Sequence, residues 1–170
     1  VMELLRGETL AERLARATAI TTREVCSVIG CVLSALASAH AKGIVHRDLK
    51  PENVFLAEYA GVTTVKLLDF GVSKFRHEAG TLFETTQEGL PVGTPAYMAP
   101  EQWRGRKDID HRADIFAVGV MLYELLTGCL PYEGANQGEL FLEIVRGTAV
   151  PDAPSSLERE IPAALDRVVL

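Results

Sequence analysis

The sequence predicts a mainly α-helical fold with a few short β-strands. Two runs carry apolar residues at helical spacing, one from Val25 to His40 and one from Arg112 to Leu126. Two shorter stretches, Asn53 to Leu56 and Thr64 to Leu68, read as strands around a turn at Gly61. Length supports one folding unit: 170 residues, 48% of them hydrophobic and 24% charged, can bury a core.

In chain order, Val1 to Leu5 is strand-like. Thr9 and Glu12 stand three apart ahead of an Ala/Leu/Arg run, the spacing at which hydroxyl and carboxylate satisfy each other's backbone amides, so a helix is expected from Leu10 to about Ala17. Thr21 and Glu24 repeat the signature, and Val25, Val28, Ile29, Val32, Leu33, Leu36 and His40 then form one face of a long helix ending at Gly43. Cys26 and Cys31 fall inside it and are expected to be small core residues. Ile44 and Val45 read as a β-like step. From Gly71 to Met98 no periodicity survives, as in a functional loop. Arg112 to Leu126 is apolar on nearly every side, which predicts a helix in the centre of the fold, stopped at Gly128. Asn136 caps a helix to about Val145, Pro151 to Ser156 is a loop, and Ile161 to Leu170 begins one more helix.

Composition excludes several function classes. With 17 Lys and Arg against 23 Asp and Glu the formal charge is −6, the wrong sign for coating nucleic acid or an anionic membrane. The split is uneven: residues 1–85 carry ten basic and ten acidic side chains, residues 86–170 seven and thirteen. Three cysteines without CxxC spacing give neither a disulfide framework nor a zinc site, and fit a reducing cytoplasm. No apolar run approaches the ~20 residues of a membrane span, so neither nucleic acid nor membrane is an expected partner.

Chemistry gathers in three segments: His46-Arg47-Asp48-Leu49-Lys50-Pro51-Glu52-Asn53, then Asp69-Phe70-Gly71, then Gly93-Thr94-Pro95-Ala96-Tyr97-Met98-Ala99-Pro100-Glu101. The first puts a carboxylate, an ammonium and a carboxamide in one loop between a helix and a strand. The second adds another carboxylate. Asn53 and Asp69 are oxygen donors of the kind that suit Mg²⁺, a hard cation that keeps waters and borrows phosphate oxygens.

These segments, in this order, resemble the catalytic loop, metal-binding triplet and end of the activation segment of eukaryotic-type protein kinases, in a style closer to bacterial members. The resemblance covers the whole chain, with Val1 to Arg6 similar to the last small-lobe strand and the hinge. It implies the large lobe of a serine/threonine protein kinase without the small lobe, a partial domain cut at both ends, using ATP and Mg²⁺ on a protein substrate. By the same resemblance Asp48 accepts the proton of the substrate hydroxyl, Asn53 and Asp69 hold Mg²⁺, Lys50 faces the transferred phosphate, and Thr94 bridges to Asp48 and Lys50. Lys50 favours Ser/Thr over Tyr substrates. Glu3 and Leu5 in the hinge and Phe55 on the adenine floor fall at nucleotide-binding positions, with Lys50, Asn53 and Asp69 completing that set.

Arg47, directly before Asp48, marks kinases switched on by phosphorylation, and Thr85 and Thr86 are the candidate phosphosites, modified within a homodimer of the intact kinase. His46 is expected to pack, and Asp114 to tie the loop's backbone. Glu8 and Glu52 match positions that meet basic substrate side chains in some relatives. The Gly-rich loop and strand lysine of the family are absent, and Glu101 is expected to be a buried carboxylate whose arginine partner lies past Leu170. Two other readings stand beside the kinase: a catalytically incompetent fragment serving as a binding module, and a small-molecule phosphotransferase of the same fold.

Overall fold

The computed structural model describes residues 3–16, 20–70, 95–147 and 150–170. A three-stranded antiparallel sheet, β1 (Gly7–Thr9), β2 (Val54–Tyr59) and β3 (Val62–Leu67), lies beside a body of helices. Those helices are α1 (Leu10–Ala15), α2 (Thr22–His40), α3 (Pro100–Trp103), α4 (Arg112–Thr127), α5 (Gln137–Arg146), α6 (Pro154–Leu157) and α7 (Asp166–Val169). The mainly helical expectation with short strands is met.

The sheet exists because two local conditions hold. Ala60 and Gly61 both take left-handed φ, 51° and 79°, the pair a two-residue hairpin turn needs, and this sets Tyr59 opposite Val62 and Val54 opposite Leu67. At Gly7 a Cβ would sit 2.0 Å from the Leu56 carbonyl oxygen, so only glycine lets β1 reach β2. The opening residues expected to be strand-like are irregular from residue 3 to 6; the strand is formed at Gly7–Thr9, with Glu58 N donating to Arg6 O at 2.8 Å just ahead of it.

Thr9 caps α1 as its spacing predicts: Glu12 N donates to Thr9 Oγ1 at 3.1 Å and Thr9 N to Glu12 Oε2 at 2.7 Å. At α2 only half the signature is used. Glu24 N donates to Thr21 Oγ1 at 3.2 Å, while the Glu24 carboxylate turns away to take Arg13 Nη2 at 3.2 Å, which joins the two helices. Helix α2 buries Val25, Ile29, Val32 and Leu36 on one stripe. Cys26 and Cys31 are exposed, not core: each is one residue from a stripe position and so about 100° off it. By length and composition α2 could cross a membrane, with mean hydropathy 1.3, but its apolar stripe lies in the core shared with α4.

Gly43, φ 72°, ends the run, with Ile44 N donating back to Ala39 O at 3.0 Å. That bond uses Ile44's amide, and Ile44 and Val45 form no strand. Within the stretch read as aperiodic a 3₁₀ turn forms at Pro95–Tyr97, and the single-turn α3 follows just after it; both start at proline and are too short to show a period. Pro154 likewise starts α6 inside the expected 151–156 loop, and the last helix is shorter than expected. Helix α4 is buried along most of its length and ends at Gly128, φ 75°. It packs Val118, Met121, Leu122 and Leu125 against Leu10, Val32, Leu36 and Val54. Asn136 caps α5 through Oδ1, which accepts from Glu139 N at 3.1 Å. Trp103 on α3 meets the Phe141 ring edge at 5.6 Å, and Arg104 donates to Val145 O at 2.6 Å, docking α5 on α3.

Leu36 is 1% exposed and Leu33, on the same helix, 40%. Leu36→Ala is expected to cost about 3 kcal/mol in chemical denaturation, and Leu33→Ala under about 0.5 kcal/mol. Equal losses would contradict the buried stripe.

Candidate active site

The loop from His46 to Asn53 connects α2 to β2, and its shape is imposed from α4. Asp114, in the first turn of α4, is 1% exposed. Its Oδ1 accepts from Arg47 N at 2.8 Å, and its Oδ2 from His46 N at 2.9 Å and His40 Nε2 at 2.7 Å. A carboxylate is suited to this place because it only accepts, and its two oxygens serve three donors arriving from α2 and the loop.

Arg47 stands at φ 68°, left-handed and non-glycine, a conformation that costs on the order of 1–3 kcal/mol unless its surroundings enforce it. They do so on every side. Asp114 holds its N–H, Gln102 Nε2 donates to its carbonyl at 2.7 Å, and its own Nη2 donates to Ile109 O at 3.1 Å. Its Nε is buried with no hydrogen-bond partner among the described residues.

His46 is fully buried. Its Nε2 lies 2.8 Å from Leu68 O, a pure acceptor, and its Nδ1 receives Asp48 N at 3.4 Å, so the partners assign the hydrogen to Nε2. The Phe70 ring packs against it at 4.7 Å. The next residues point outward: the Asp48 side chain is 47% exposed, with Lys50 Nζ 3.7 Å from Oδ2. Asn53, 7% exposed, donates from Nδ2 to Asp48 O at 2.7 Å, which fixes the amide and leaves Oδ1 as its ligand atom. Leu68 N donates to Asn53 O at 2.9 Å, extending the β2–β3 pairing so that Asp69, φ 57° and exposed, follows directly.

The structure thus brings Asp48, Lys50 and Asn53 into one loop and ties Asp69 to it through the sheet. Among the described residues no group of three His, Cys, Asp or Glu gathers as a metal cage. One carboxamide and one carboxylate oxygen fit a hard cation completed by water and phosphate. Of the other expected residues, Glu3 is exposed and its carboxylate takes Lys66 Nζ at 2.8 Å, leaving its backbone for any nucleotide. Leu5 is half-buried before β1, and Phe55 is half-buried on β2 between Thr9 and Lys66. Thr85, Thr86 and Thr94 lie outside the described residues.

One expectation needs correction: Glu101 is half-buried rather than buried, which lowers the desolvation cost expected at this position. Glu8, read either as a carboxylate meeting basic substrate side chains or as an ordinary surface carboxylate, pairs with Arg16 Nη2 at 2.5 Å.

Three residues with contacts at this site escaped the sequence reading: Gln102, Tyr97 and Glu124. Gln102, 4% exposed, joins α3 to the loop. Tyr97 Oη donates to Glu124 Oε2 at 2.5 Å. Burial, with Glu124 beside it, pushes the Tyr97 phenol far above its usual range. Burial also raises Glu124, with the Tyr97 hydrogen bond opposing and the Glu52 charge adding. The available signal was a polar residue interrupting an apolar helix, at Glu124 in α4.

Because the folded value of Glu124 lies above its unfolded one, the folded chain binds more protons between the two, and this group's contribution to stability falls as pH rises through that window. Tyr97→Phe removes the opposing bond, so the Glu124 carboxyl is expected to titrate still higher by carbon-detected NMR; a fall would contradict the assignment. Asp114→Asn turns an N–H donor toward other donors. A loss of roughly 2–3 kcal/mol in denaturation, with faster amide exchange at His46 and Arg47, is the expected outcome, and unchanged exchange would refute the clamp.

The profile of the protein kinase domain family matches residues 1–166. Serine/threonine-protein kinase Pkn1 of Myxococcus xanthus is 43% identical over 171 residues, covering 100% of this chain and 24% of that protein. Serine/threonine-protein kinase pkn3 of the same organism is 37% identical, covering 99% of the chain and 31% of that protein. Serine/threonine-protein kinase PknB of Mycobacterium tuberculosis is 35% identical, covering 100% and 26%. The chain therefore spans about a quarter to a third of the length of these curated relatives. A loop presenting Asp48, Lys50 and Asn53 under Asp114, with Asp69 tied in by the sheet, is what such a match requires, and the chain belongs to the protein kinase domain family, alongside bacterial serine/threonine members.

Proposed function

We propose that this chain is the large lobe of a serine/threonine protein kinase, transferring the γ-phosphoryl group of ATP to a protein hydroxyl with Mg²⁺ as cofactor. The observation that carries the reading is the 2.7 Å bond from Asn53 Nδ2 to the Asp48 carbonyl, which sets a base and a metal ligand at fixed separation in one loop. Mg·ATP, when bound, supplies the phosphoryl group and the cation that neutralises its oxygens. Asp48, side chain free toward solvent, accepts the hydrogen bond of the substrate hydroxyl at an Oδ atom and takes its proton. Lys50 provides a point charge beside it. Asn53 Oδ1 and the Asp69 carboxylate would hold the cation. Phe55 and Leu5 offer apolar surface to a base, and the Glu3 backbone offers polar groups. Arg47 is the partner for a phosphate on Thr85 or Thr86, and Thr94 bridges to Asp48 and Lys50, roles that rest on the family resemblance.

Catalysis here is positioning and charge neutralisation, so losing one group leaves the others bound. Asp48→Asn is expected to cut phosphoryl transfer by ~10²–10⁴-fold while preserving the thermal stabilisation by Mg·ATP. Asp69→Asn removes the Mg²⁺-dependent part of that stabilisation. No stabilisation and no transfer would favour a binding module, and transfer to a small molecule but not to protein would favour a phosphotransferase of the same fold.

A further inference from the structure

Gln102 makes two hydrogen bonds that no apolar residue of its size could make. It lies in α3, one turn after the Pro95–Tyr97 3₁₀ segment, and is 4% exposed. Its Oε1 accepts from Ala99 N at 3.0 Å, inside its own segment. Its Nε2 crosses to the loop and donates to Arg47 O at 2.7 Å, a contact between residues 55 positions apart. Both ends of the amide are thereby used, which also assigns which atom is oxygen and which nitrogen.

The acceptor is significant because Arg47 O belongs to the peptide group whose nitrogen is that of Asp48. Orienting this carbonyl orients the Asp48 amide, which is also directed at His46 Nδ1. The opposite side of Arg47 is held through its N–H by Asp114. A left-handed, non-glycine residue gripped at N–H by one helix and at C=O by another has no freedom to relax.

We propose that Gln102 is a positioning residue for Asp48. Its side-chain amide sets the Arg47–Asp48 peptide plane and makes the orientation of Asp48 depend on the placement of the 95–103 segment. The proposal rests on the reading of Asp48 as the proton acceptor, and that reading is tested separately by Asp48→Asn.

Two variants of Gln102 separate positioning from packing. Gln102→Met keeps the volume and removes both bonds. Gln102→Glu keeps the acceptor for Ala99 N but, ionised, presents no donor to Arg47 O; protonated, it regains one. In isotope-labelled chain, loss of the donor is expected to move the Asp48 amide nitrogen upfield in Gln102→Met and in Gln102→Glu at high pH. The Gln102→Glu signal returns toward the wild-type position as pH falls. Wild type read at each pH corrects for Arg47, Asp48, Lys50 and Asp114, the charged groups facing the same cavity. In active kinase, kcat is expected to fall about tenfold, the factor of one lost hydrogen bond, with KM for ATP unchanged. An Asp48 amide that does not move, a Gln102→Glu profile parallel to wild type, or unchanged kcat in Gln102→Met would each overturn the proposal. Should both variants fail to fold, the wild-type side-chain amide decides: slow hydrogen exchange at Gln102 Nε2 supports it and solvent-fast exchange overturns it.

Discussion

A single buried carboxylate determines whether this site exists. Isolated from water, a carboxylate at Asp114 would be costly, and the chain meets that cost by surrounding both oxygens with donors. His46 and Arg47 contribute backbone N–H groups and His40 a ring nitrogen, each within 2.9 Å. The positive end of α4 adds to this, since Asp114 lies in its first turn. The dependence is mutual: the loop needs the carboxylate to hold a left-handed arginine, and the carboxylate needs the loop to be buried.

From that anchor the remaining geometry follows by short steps. Gripping Arg47 fixes the start of the Asp48 peptide, and His46 Nδ1 receives the Asp48 N–H. Asn53 then closes the loop onto the Asp48 carbonyl, and its own carbonyl hands the arrangement to the sheet through Leu68 N. Each group that faces outward is backed by one that faces inward. Asp48 keeps its carboxylate toward solvent while Asn53 is buried behind it, and the backbone around both is satisfied.

Much of this was legible in the sequence because the relevant rules are local. Thr9 with Glu12, Asn136 before α5 and Gly128 after α4 behave as caps read from a few residues. The chemistry-bearing segments were legible as contiguous motifs. What escaped was non-local. The exposure of Cys26 and Cys31 depends on which side of α2 meets α4, and a helical period alone leaves adjacent positions ambiguous. The Glu8–Arg16 pair joins residues eight apart across the end of α1, where no local rule signals it. Gln102 lies just past a motif and Tyr97 inside one, but neither motif names a partner; those partners, Arg47 and Glu124, are 55 and 27 residues away.

Those separations bear on how the site is assembled as the chain folds. The bonds that shape Arg47 span 55 residues to Gln102 and 67 to Asp114, whereas the caps of α1 and α2 are made within three residues. Closing such long loops is entropically costly and is compensated only when α4 has packed on α2. A partly folded chain can therefore hold its early helices and still possess no site at all. Protection of the His46 and Arg47 amides therefore reports on the packing of α4 against the loop, not on the early helices.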